Sequence, residues 1–412
     1  MKYVVILGDG MADYPVAQLG GKTPLQRAHI PNMDYLARHG TLGLVKTVPE
    51  GMAPGSDTAN LAVLGYDPRI YYSGRSPFEA YSMGIMLKDT DIAFRCNLVT
   101  LSQGKPYEER VMLDHGAGEI SSQEARELIA TVNEELSRLD IKFYPGVGYR
   151  HLMVWSEGPY EWKLTPPHDI LGRQIKDYLP AGSESRAIED MMRLSAQFLG
   201  GHVINKKREA AGKGPANSIW IWGEGKKPLL TDFNLKYDVR GAVISAVDLI
   251  KGMGLCAGME SIEVEGATGN INTNFSGKAR AALEWLQAGG DFVYIHIEAP
   301  DECAHMYEIE NKVKAIELID DQVVKVIKAG LDRSGEAYKL MVLPDHATPL
   351  ALRTHTSDPV PFIIYESTSS TEAASHVYDE DCAGGTGVYF AEGHKLMDFF
   401  LRGSAPDETD PL

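Results

Sequence analysis

Residues 3–10 read Tyr3-Val4-Val5-Ile6-Leu7-Gly8-Asp9-Gly10, an apolar, partly β-branched run that stops at Gly-Asp-Gly. This pattern predicts a buried parallel strand with a polar residue at its carboxyl end. In open α/β sheets, ligands bind outside the carboxyl ends of the strands. Asp9 is therefore the first candidate functional residue.

The second half of the chain repeats this pattern. Apolar runs at 242–245, 292–297 and 340–343 alternate with segments of helical periodicity. Strands that alternate with helices in this way are typical of a parallel sheet covered by helices. The sequence therefore predicts an α/β fold with a parallel-sheet core.

A chain of 412 residues exceeds the size at which one core usually stops growing. Near residue 91 the pattern changes to strand-like 92–101, helical 121–139 and strand-like 149–155, and Ser121 and Glu124 have the spacing of a capping box. We expect a discontinuous core, residues 1–90 and 185–412, and an inserted smaller α+β domain at 91–184.

Composition excludes several classes of function. Hydrophobic residues make up 44% and charged residues 24%, and the formal charge of −17 opposes binding to nucleic acid. The four cysteines form no Cys-x-x-Cys pair, and neither a signal peptide nor a membrane-length apolar run is found, so we expect a cytoplasmic protein that contacts no membrane. A homo-oligomer is a candidate assembly.

Acidic residues and histidines follow three of the predicted strands. Asp9 follows the first, Asp301 and His305 follow the run 292–297, and Asp345-His346 follows the run 340–343. The carboxyl ends of parallel strands share one edge of a sheet, so these side chains can meet although they are far apart in the chain. Their meeting would create a metal site.

Each of these residues also has an ordinary interpretation. Asp301 could cap a helix, Asp345-His346 could be loop polarity, and His355 adds one further imidazole from a nearby loop. Gathered together, carboxylates and imidazoles suit Mn²⁺ or Zn²⁺. It is the conjunction that favours a metal role.

Ser56 lies in Pro54-Gly55-Ser56-Asp57, where a glycine turn leads into a helix. No Gly-x-Ser-x-Gly motif is available to activate it, but a divalent ion can lower the pKa of a hydroxyl. The helix N-terminus favours a phosphate beside it. Ser56 is thus a candidate nucleophile, with a plain N-cap serine as the alternative.

Taken as a set, the motifs of this chain resemble the cofactor-independent phosphoglycerate mutases of the archaeal type, which belong to the alkaline phosphatase superfamily. The resemblance covers nearly the whole chain. It rests on Ile6-Leu7-Gly8-Asp9-Gly10, Pro54-Gly55-Ser56-Asp57, Tyr72-Ser73-Gly74-Arg75, Phe94-Arg95-Cys96-Asn97-Leu98, Pro215-Ala216-Asn217-Ser218, Gly266-Ala267-Thr268-Gly269, Ala299-Pro300-Asp301-Glu302-Cys303-Ala304-His305, Pro344-Asp345-His346 and His355-Thr356-Ser357-Asp358-Pro359. It implies an alkaline phosphatase-like core, with the inserted domain at 91–184 as a lid over the substrate.

The resemblance also implies two divalent metal ions, Mn²⁺ before Zn²⁺, Co²⁺ or Mg²⁺, and neither bisphosphoglycerate nor a nucleotide as cofactor. It implies that Ser56 takes the phosphoryl group from a small phosphorylated substrate and returns it, so that 2-phosphoglycerate and 3-phosphoglycerate interconvert. One ion would be held by Asp9, Ser56, Asp345 and His346, and the other by Asp301, His305 and His355.

Substrate contacts implied by the resemblance are Arg75, Arg95, Arg150 and Asn97. Arg75 and Lys251 would act in catalysis, with Lys251 near Ser56. The guanidinium groups could hold phosphate and carboxylate bidentately. Each cation could instead be an ordinary solubilising charge.

Other functions fit the same metal ligands. Chains resembling this one have been proposed as homoserine kinases, although no Gly-x-x-x-x-Gly-Lys-Ser/Thr loop or kinase signature is found here. A metal-dependent phosphomonoesterase would differ only in admitting water to the phosphoserine. A non-catalytic metal-binding protein is disfavoured, since the ligands and the nucleophile occur together.

Overall fold

The computed structural model describes residues 1–159, 162–182, 185–369 and 374–403. The chain forms two compact units, Met1–Tyr72 with Leu229–Leu412, and Ser73–Pro228. We call them the first and second units. The second unit is wider at both ends than the predicted insertion 91–184, so those boundaries were wrong. The reason is strand pairing, since residues 218–226 pair with residues 91–101 inside the second unit.

The strands are, in chain order, β1 (Lys2–Gly8), β2 (Thr41–Val45), β3 (Asp91–Leu101), β4 (Met112–Asp114), β5 (Ile141–Tyr144), β6 (Arg150–Ser156), β7 (Trp162–Lys163), β8 (Ala181–Gly182), β9 (Ser218–Lys226), β10 (Gly241–Ile244), β11 (Glu260–Ser261), β12 (Phe292–Ile297), β13 (Tyr338–Leu343), β14 (Val360–Glu366) and β15 (Tyr389–Phe390).

The α-helices are α1 (Pro24–Arg27), α2 (Pro31–His39), α3 (Ser56–Val63), α4 (Pro68–Tyr71), α5 (Ser76–Ser82), α6 (Ser122–Leu136), α7 (Ser185–Leu199), α8 (Val203–Ala210), α9 (Phe233–Tyr237), α10 (Asp248–Cys256), α11 (Phe275–Gln287), α12 (Ala299–His305), α13 (Ile309–Ile319), α14 (Lys325–Ser334), α15 (Glu380–Gly385) and α16 (Lys395–Arg402). A π-helical turn, Asp320–Val324, joins α13 to α14.

The first unit is built on an eight-stranded sheet in the order β11-β10-β12-β1-β13-β14-β2-β15. Its strands are parallel except β14, which runs antiparallel to both β13 and β2. The predicted α/β class is confirmed, but the core sheet is mixed rather than purely parallel. The predicted strand 3–7 lies within β1, in the middle of the sheet.

Apolar residues on both faces of β1, β12 and β13 are buried, which is why these strands read as unbroken apolar runs. The main core of the first unit joins them to apolar residues of α2, α11, α13 and α14. Because β12, β1 and β13 are adjacent and parallel, their carboxyl ends lie side by side. The residues that follow these strands therefore meet at one edge of the sheet.

The second unit contains an antiparallel sheet in which β3 pairs with both β9 and β6, β5 pairs with β6, and β4 pairs with the end of β3. Its core joins these strands to α6 and α7, so this unit is α+β as expected. Ser121 and Glu124 form the predicted capping box at the start of α6.

Two further observations concern the chain as a whole. All four cysteines lie in the described part of the chain and are free. None of the helices described is both long enough and apolar enough to cross a bilayer. The cytoplasmic location and the possible homo-oligomer stay predictions.

Candidate functional site

Three carboxylates meet at the carboxyl edge of the first unit's sheet. Asp9 directly follows β1, Asp345 lies in the loop after β13, and Asp301 lies in the first turn of α12, just after β12. Their exposed fractions are 2%, 0% and 5%. Adjacent parallel strands thus deliver three acidic groups to one buried region, as the sequence predicts.

The buried group consists of Asp9, Asp345 and His346. Their ligand atoms lie within 4.8 Å of one another. Nε2 of His346 is 3.3 Å from Asp345 Oδ2 and 3.6 Å from Asp9 Oδ1. These are the spacings of atoms that can share one cation.

The half-exposed group consists of Asp301, His305 and His355. Nε2 of His305 lies 3.1 Å from Asp301 Oδ2 and 3.1 Å from His355 Nε2. His355 Nε2 is 3.5 Å from Asp301 Oδ1. His346 borders this group as well, since Asp301, His346 and His355 also place ligand atoms within 4.8 Å of one another. The alternative that Asp301 caps its helix is wrong, because Glu298 is the N-cap of α12.

Ser56 is the first residue of α3, and its hydroxyl Oγ lies 3.2 Å from His346 Nε2. Gly55 is the N-cap of this helix and no side chain caps it, so the interpretation of Ser56 as a plain N-cap serine is wrong. The predicted nucleophile lies instead next to the buried group.

Hydrogen bonds assign the tautomer of His346. Thr348 donates its hydroxyl proton to Asp301 Oδ1 at 2.5 Å, and its oxygen is then the acceptor for His346 Nδ1 at 3.2 Å. The lone pair of His346 is therefore on Nε2, where it faces Asp9, Asp345 and Ser56. Nε2 of His346 and the carboxylates of Asp9 and Asp345 are thus buried acceptors that face one another, and a cation among them would relieve their repulsion.

Asp9 supplies a second test of fit for a metal. Its Oδ1 is buried and has no hydrogen-bond partner among the described residues. Burial, together with the charges of Asp345 and Asp301, raises the pKa of Asp9 well above its ordinary value. An orphaned buried carboxylate oxygen beside a second carboxylate and an imidazole lone pair fits a divalent cation.

The half-exposed group has different electrostatics. Burial acts to raise the pKa of Asp301, but hydrogen bonds from His305 and His355 outweigh it and hold that pKa well below its usual range. The same hydrogen bond raises the pKa of His305 to about 9, although burial opposes the shift. A proton and a metal ion would therefore compete for this imidazole.

The loop after Pro349 orients His305. His305 Nδ1 donates to the backbone carbonyl of Arg353 at 2.9 Å. Arg353 has a φ of 55°, a left-handed conformation that is uncommon for a residue with a side chain. With Nδ1 held by a carbonyl, Nε2 is directed at Asp301 and His355, an arrangement common for metal-binding histidines.

Asn60 connects the nucleophile's helix to the buried group. Its side-chain nitrogen donates to the Ser56 carbonyl and to Asp345 Oδ2, both at 2.8 Å. Its oxygen accepts from the Tyr294 hydroxyl at 2.6 Å. Asn60 is fully buried, so it fixes the distance between the start of α3 and Asp345.

The second unit contains the predicted arginines. Glu79, on α5, pairs with Arg95 at 2.8 Å and with Arg75 at 3.3 Å. The guanidinium of Arg95 also lies 4.8 Å from the ring centre of Trp222. Burial and the nearby charge of Arg75 lower the pKa of Arg95, although Glu79 acts to raise it. Arg150, at the start of β6, is exposed and contributes to the same positive field.

Two histidines lie beside these arginines and were missed. His168 makes an edge-on contact with Trp222 at 5.3 Å, and His115 makes one with His168 at 6.2 Å. Burial lowers the pKa of His168, and its neighbours His115, Arg95 and Arg75 lower it further, while Asp169 acts to raise it. The second unit thus gathers these basic side chains near Glu79 and Asp169.

Two other predicted residues have their polar groups engaged. The amide of Asn97 donates to the His115 carbonyl at 3.2 Å and accepts from Trp222 Nε1 at 3.1 Å. Lys251 donates to both oxygens of Glu263 at 2.8 Å. Their predicted contacts with substrate and with Ser56 stay predictions.

The sequence reasoning missed several buried residues that contact the candidate ligands or contact the partners of those ligands: Asn60, Ser245, Lys278, Tyr294, His296 and Thr348. Spacing offered a signal for some of them. Asn60 is four residues after Ser56 on the same helix face, and Thr348 is two residues after His346. Lys278 gave no such signal, although it is fully buried, donates to the His296 carbonyl at 2.9 Å and has its pKa lowered by burial to about 8.

Comparison with known proteins identifies relatives of this chain. The model of the family described as 2,3-bisphosphoglycerate-independent phosphoglycerate mutase matches residues 37–205. A protein of Geobacter sulfurreducens, named a probable 2,3-bisphosphoglycerate-independent phosphoglycerate mutase, is 50% identical over 401 residues, which cover 97% of this chain and 100% of that protein. One of Methanosarcina barkeri, named a 2,3-bisphosphoglycerate-independent phosphoglycerate mutase, is 50% identical over 384 residues, or 93% and 95% of the two chains.

Solved structures agree with these relatives. A Pyrococcus horikoshii protein superposes with a TM-score of 0.79 at 29% identity and covers 99% of both chains. The cofactor-independent phosphoglycerate mutase of Thermoplasma acidophilum gives a TM-score of 0.64 at 25% identity, covering 98% of this chain and 99% of its own. Since relatives of about half-identical sequence match nearly from end to end, the chain belongs to the 2,3-bisphosphoglycerate-independent phosphoglycerate mutase family.

Proposed function

We propose that this protein interconverts 2-phosphoglycerate and 3-phosphoglycerate through a phosphoserine at Ser56, at a site that holds two divalent cations. The observation that carries the proposal is the 3.2 Å contact between Ser56 Oγ and His346 Nε2, beside Asp9 and Asp345. The Ser56 hydroxyl thus lies beside a set of buried hydrogen-bond acceptors that a cation would stabilise. The names of the relatives supply the reaction class.

We assign these residues to two cations by the distances between their ligand atoms. The buried group, with Ser56, would hold one, and the half-exposed group would hold the other. Cations bound here would lower the pKa of the Ser56 hydroxyl and neutralise charge on the transferring phosphoryl group. Mixed carboxylate and imidazole ligands favour Mn²⁺ as the first ion to test, with Zn²⁺ and Co²⁺ next and Mg²⁺ last.

The chain's own residues account for the group transfer. The Ser56 oxygen bonds to phosphorus, the bond between phosphorus and the substrate oxygen breaks, and the proton lost by Ser56 is balanced by the one gained on the leaving hydroxyl. In the second half of the reaction, the other hydroxyl of glycerate attacks the phosphorus of phosphoserine, and the bond between phosphorus and the Ser56 oxygen breaks. The proton lost by that hydroxyl is balanced by the one gained on Ser56. No water is consumed, so a productive site must keep water from the phosphoserine.

The substrate of this reaction carries a phosphate and a carboxylate. Arg75, Arg95 and Arg150 offer planar donors suited to both groups. We assign them to substrate binding, and keep Asn97 as a further candidate. Because Glu79 pairs with Arg75 and Arg95, their guanidinium groups have a fixed orientation before substrate binds. Lys251 stays a candidate catalytic residue next to Ser56.

The test is an isomerisation assay with purified full-length protein, 3-phosphoglycerate and Mn²⁺, without bisphosphoglycerate. We expect formation of 2-phosphoglycerate and, after a rapid quench, a phosphate on Ser56 by peptide mass spectrometry. Ser56→Ala should lose at least about 1,000-fold in kcat, since the nucleophile is absent. Ser137→Ala, which alters an exposed serine after α6, is the matched control and should keep full activity.

Parallel assays separate the alternatives. Release of inorganic phosphate faster than isomerisation would assign the protein as a phosphomonoesterase. Phosphorylation of homoserine from ATP, with no mutase turnover, would assign it as a homoserine kinase. Full activity of Ser56→Ala would contradict the phosphoserine route.

A further inference from the structure

A chain of three buried side chains crosses adjacent strands beneath the buried group. Ser245 follows β10, His296 lies on β12 and Asp9 follows β1, and these strands are neighbours in the order β10-β12-β1. The exposed fractions of the three residues are 3%, 1% and 2%. No bulk water reaches the contacts between them.

The contacts are directional. His296 Nε2 lies 3.0 Å from Asp9 Oδ2, and His296 Nδ1 lies 3.2 Å from Ser245 Oγ. The Val247 amide donates to Ser245 Oγ at 3.0 Å, which leaves the serine's own proton free to be donated to His296 Nδ1. An ionised Asp9 carboxylate can only accept, so the neutral imidazole carries its hydrogen on Nε2 and donates it to Asp9, while Nδ1 accepts from Ser245.

This hydrogen bond distinguishes the two oxygens of Asp9. Oδ2 is engaged by His296, whereas Oδ1 is buried, has no hydrogen-bond partner in the described ranges and lies 3.6 Å from His346 Nε2. Rotation of the carboxylate would break the bond to His296. The contact thus presents a single oxygen to the buried group.

We propose that His296, held by Ser245, is a positioning residue that fixes Asp9 so that Oδ1 faces the cation of the buried group. The inference rests on the proposed metal centre and adds to it a residue outside the ligand set. Partners of this kind typically change metal affinity about 10- to 100-fold when they are lost.

Two amide substitutions at position 296 form a matched pair. His296→Gln places an N–H donor near the position of Nε2 and can still reach Asp9. His296→Asn places its amide near the position of Nδ1, so that it can contact Ser245 but not Asp9. Both introduce the same polar group into the same strand, and Ile295→Val, at the neighbouring buried position of β12, controls for altered packing.

The measurement is calorimetric titration of Mn²⁺ into metal-free full-length protein, without substrate. We expect two ions per wild-type chain, about 10- to 100-fold weaker binding of one of them in His296→Asn, and binding within about threefold of wild type in His296→Gln. Ser245→Ala should fall between these two. Ile295→Val should match wild type.

The outcomes separate this inference from the proposed function. If wild type binds no Mn²⁺, the metal centre itself is wrong. If wild type binds two ions and His296→Asn binds them equally well, or His296→Gln is as weak as His296→Asn, then His296 has no positioning role and only this inference is lost. Thermal unfolding of each variant identifies any that fails to fold; in that case Ser245→Ala decides, and unchanged Mn²⁺ affinity in it overturns the inference.

Discussion

The buried group and the half-exposed group use the same kinds of side chain but are held in different ways. Asp9, Asp345 and His346 are at most 2% exposed, and each is hydrogen-bonded by residues outside the group. In the half-exposed group, the side chains of His305 and His355 are 33% and 23% exposed and contact each other. The first arrangement is set before a cation binds, while the second has room to adjust.

This difference predicts unequal affinities. A preformed ligand set loses little conformational freedom on binding, whereas an adjustable one loses more. The buried group should therefore hold its cation more tightly and exchange it more slowly. The half-exposed group should hold the cation that is first removed by a chelator.

The largest expected effect is a difference in activity loss between a variant of the buried group and a variant of the half-exposed group. Asp345→Asn removes a charge from the buried group and should lower kcat/KM by about 1,000-fold or more at any Mn²⁺ concentration, because the site beside Ser56 is lost. His355→Gln removes a ligand from the half-exposed group and should cost about 10- to 100-fold, partly restored by excess Mn²⁺. Steady-state kinetics across a Mn²⁺ series provides the comparison. Equal losses, insensitive to Mn²⁺, would contradict the ranking.

The next effect comes from Gly10, which lies against both the half-exposed group and Thr348. Its φ is +63°, and a Cβ there would lie 2.6 Å from Thr348 Oγ1 and 2.8 Å from Asp301 Oδ1. Gly10→Ala combines left-handed strain with this clash and should destabilise the fold by about 2–4 kcal/mol. Denaturant unfolding measures the loss. Gly20→Ala has a similar φ with no atom within 4 Å, so it controls for backbone strain alone and should cost less.

Thr348 joins the two groups, because its hydroxyl contacts both His346 and Asp301. Thr348→Val keeps the shape but removes the hydrogen bonds, and it should weaken binding of both cations by about tenfold. Thr348→Ser keeps the hydroxyl and serves as the control. Mn²⁺ titration of the two variants tests the link, and loss at only one of the two ions would show that Thr348 supports a single group.

The last effect, on the pH dependence of stability, comes from a buried acid that lies outside both groups. Glu380 accepts hydrogen bonds from Thr23 and from the Asp13 amide, and burial raises its pKa to about 7. Between about pH 4.5 and 7 the folded chain binds a proton that the unfolded chain has released, so stability falls as pH rises through this window. Gln cannot ionise, and Glu380→Gln should gain about 3 kcal/mol relative to wild type between pH 4.5 and 8. Unfolding midpoints at both pH values measure this; a pH-independent difference would contradict it.

Sequence patterns were sufficient for the part of the site that depends on strand order. Three apolar runs predicted strands, and Asp9, Asp301 and Asp345-His346 follow these runs. Because the carboxyl ends of adjacent parallel strands share one edge of the sheet, the carboxylates meet there. The contact of Ser56 with His346 could not be derived this way, since it depends on how α3 packs. There the family resemblance supplied the expectation.

Other features were hidden because they depend on pairing between distant segments. The second unit reaches residue 228 because β9 pairs with β3, and this pairing joins segments that are far apart in the chain. The antiparallel β14 has the same apolar character as the parallel strands of this sheet. In the sequence, His296 is a single histidine in a strand and Asn60 is a single asparagine in a helix. Their roles become apparent only from the residues that they contact in the folded chain.

The most direct test of the account is a crystal of the full-length protein grown with Mn²⁺, with anomalous scattering measured to locate the ions. We predict two anomalous peaks, one in contact with Asp9, Asp345 and His346 and one in contact with Asp301, His305 and His355, with Ser56 Oγ beside the first. A map without a peak among these residues, or with Ser56 turned away from them, would contradict the account.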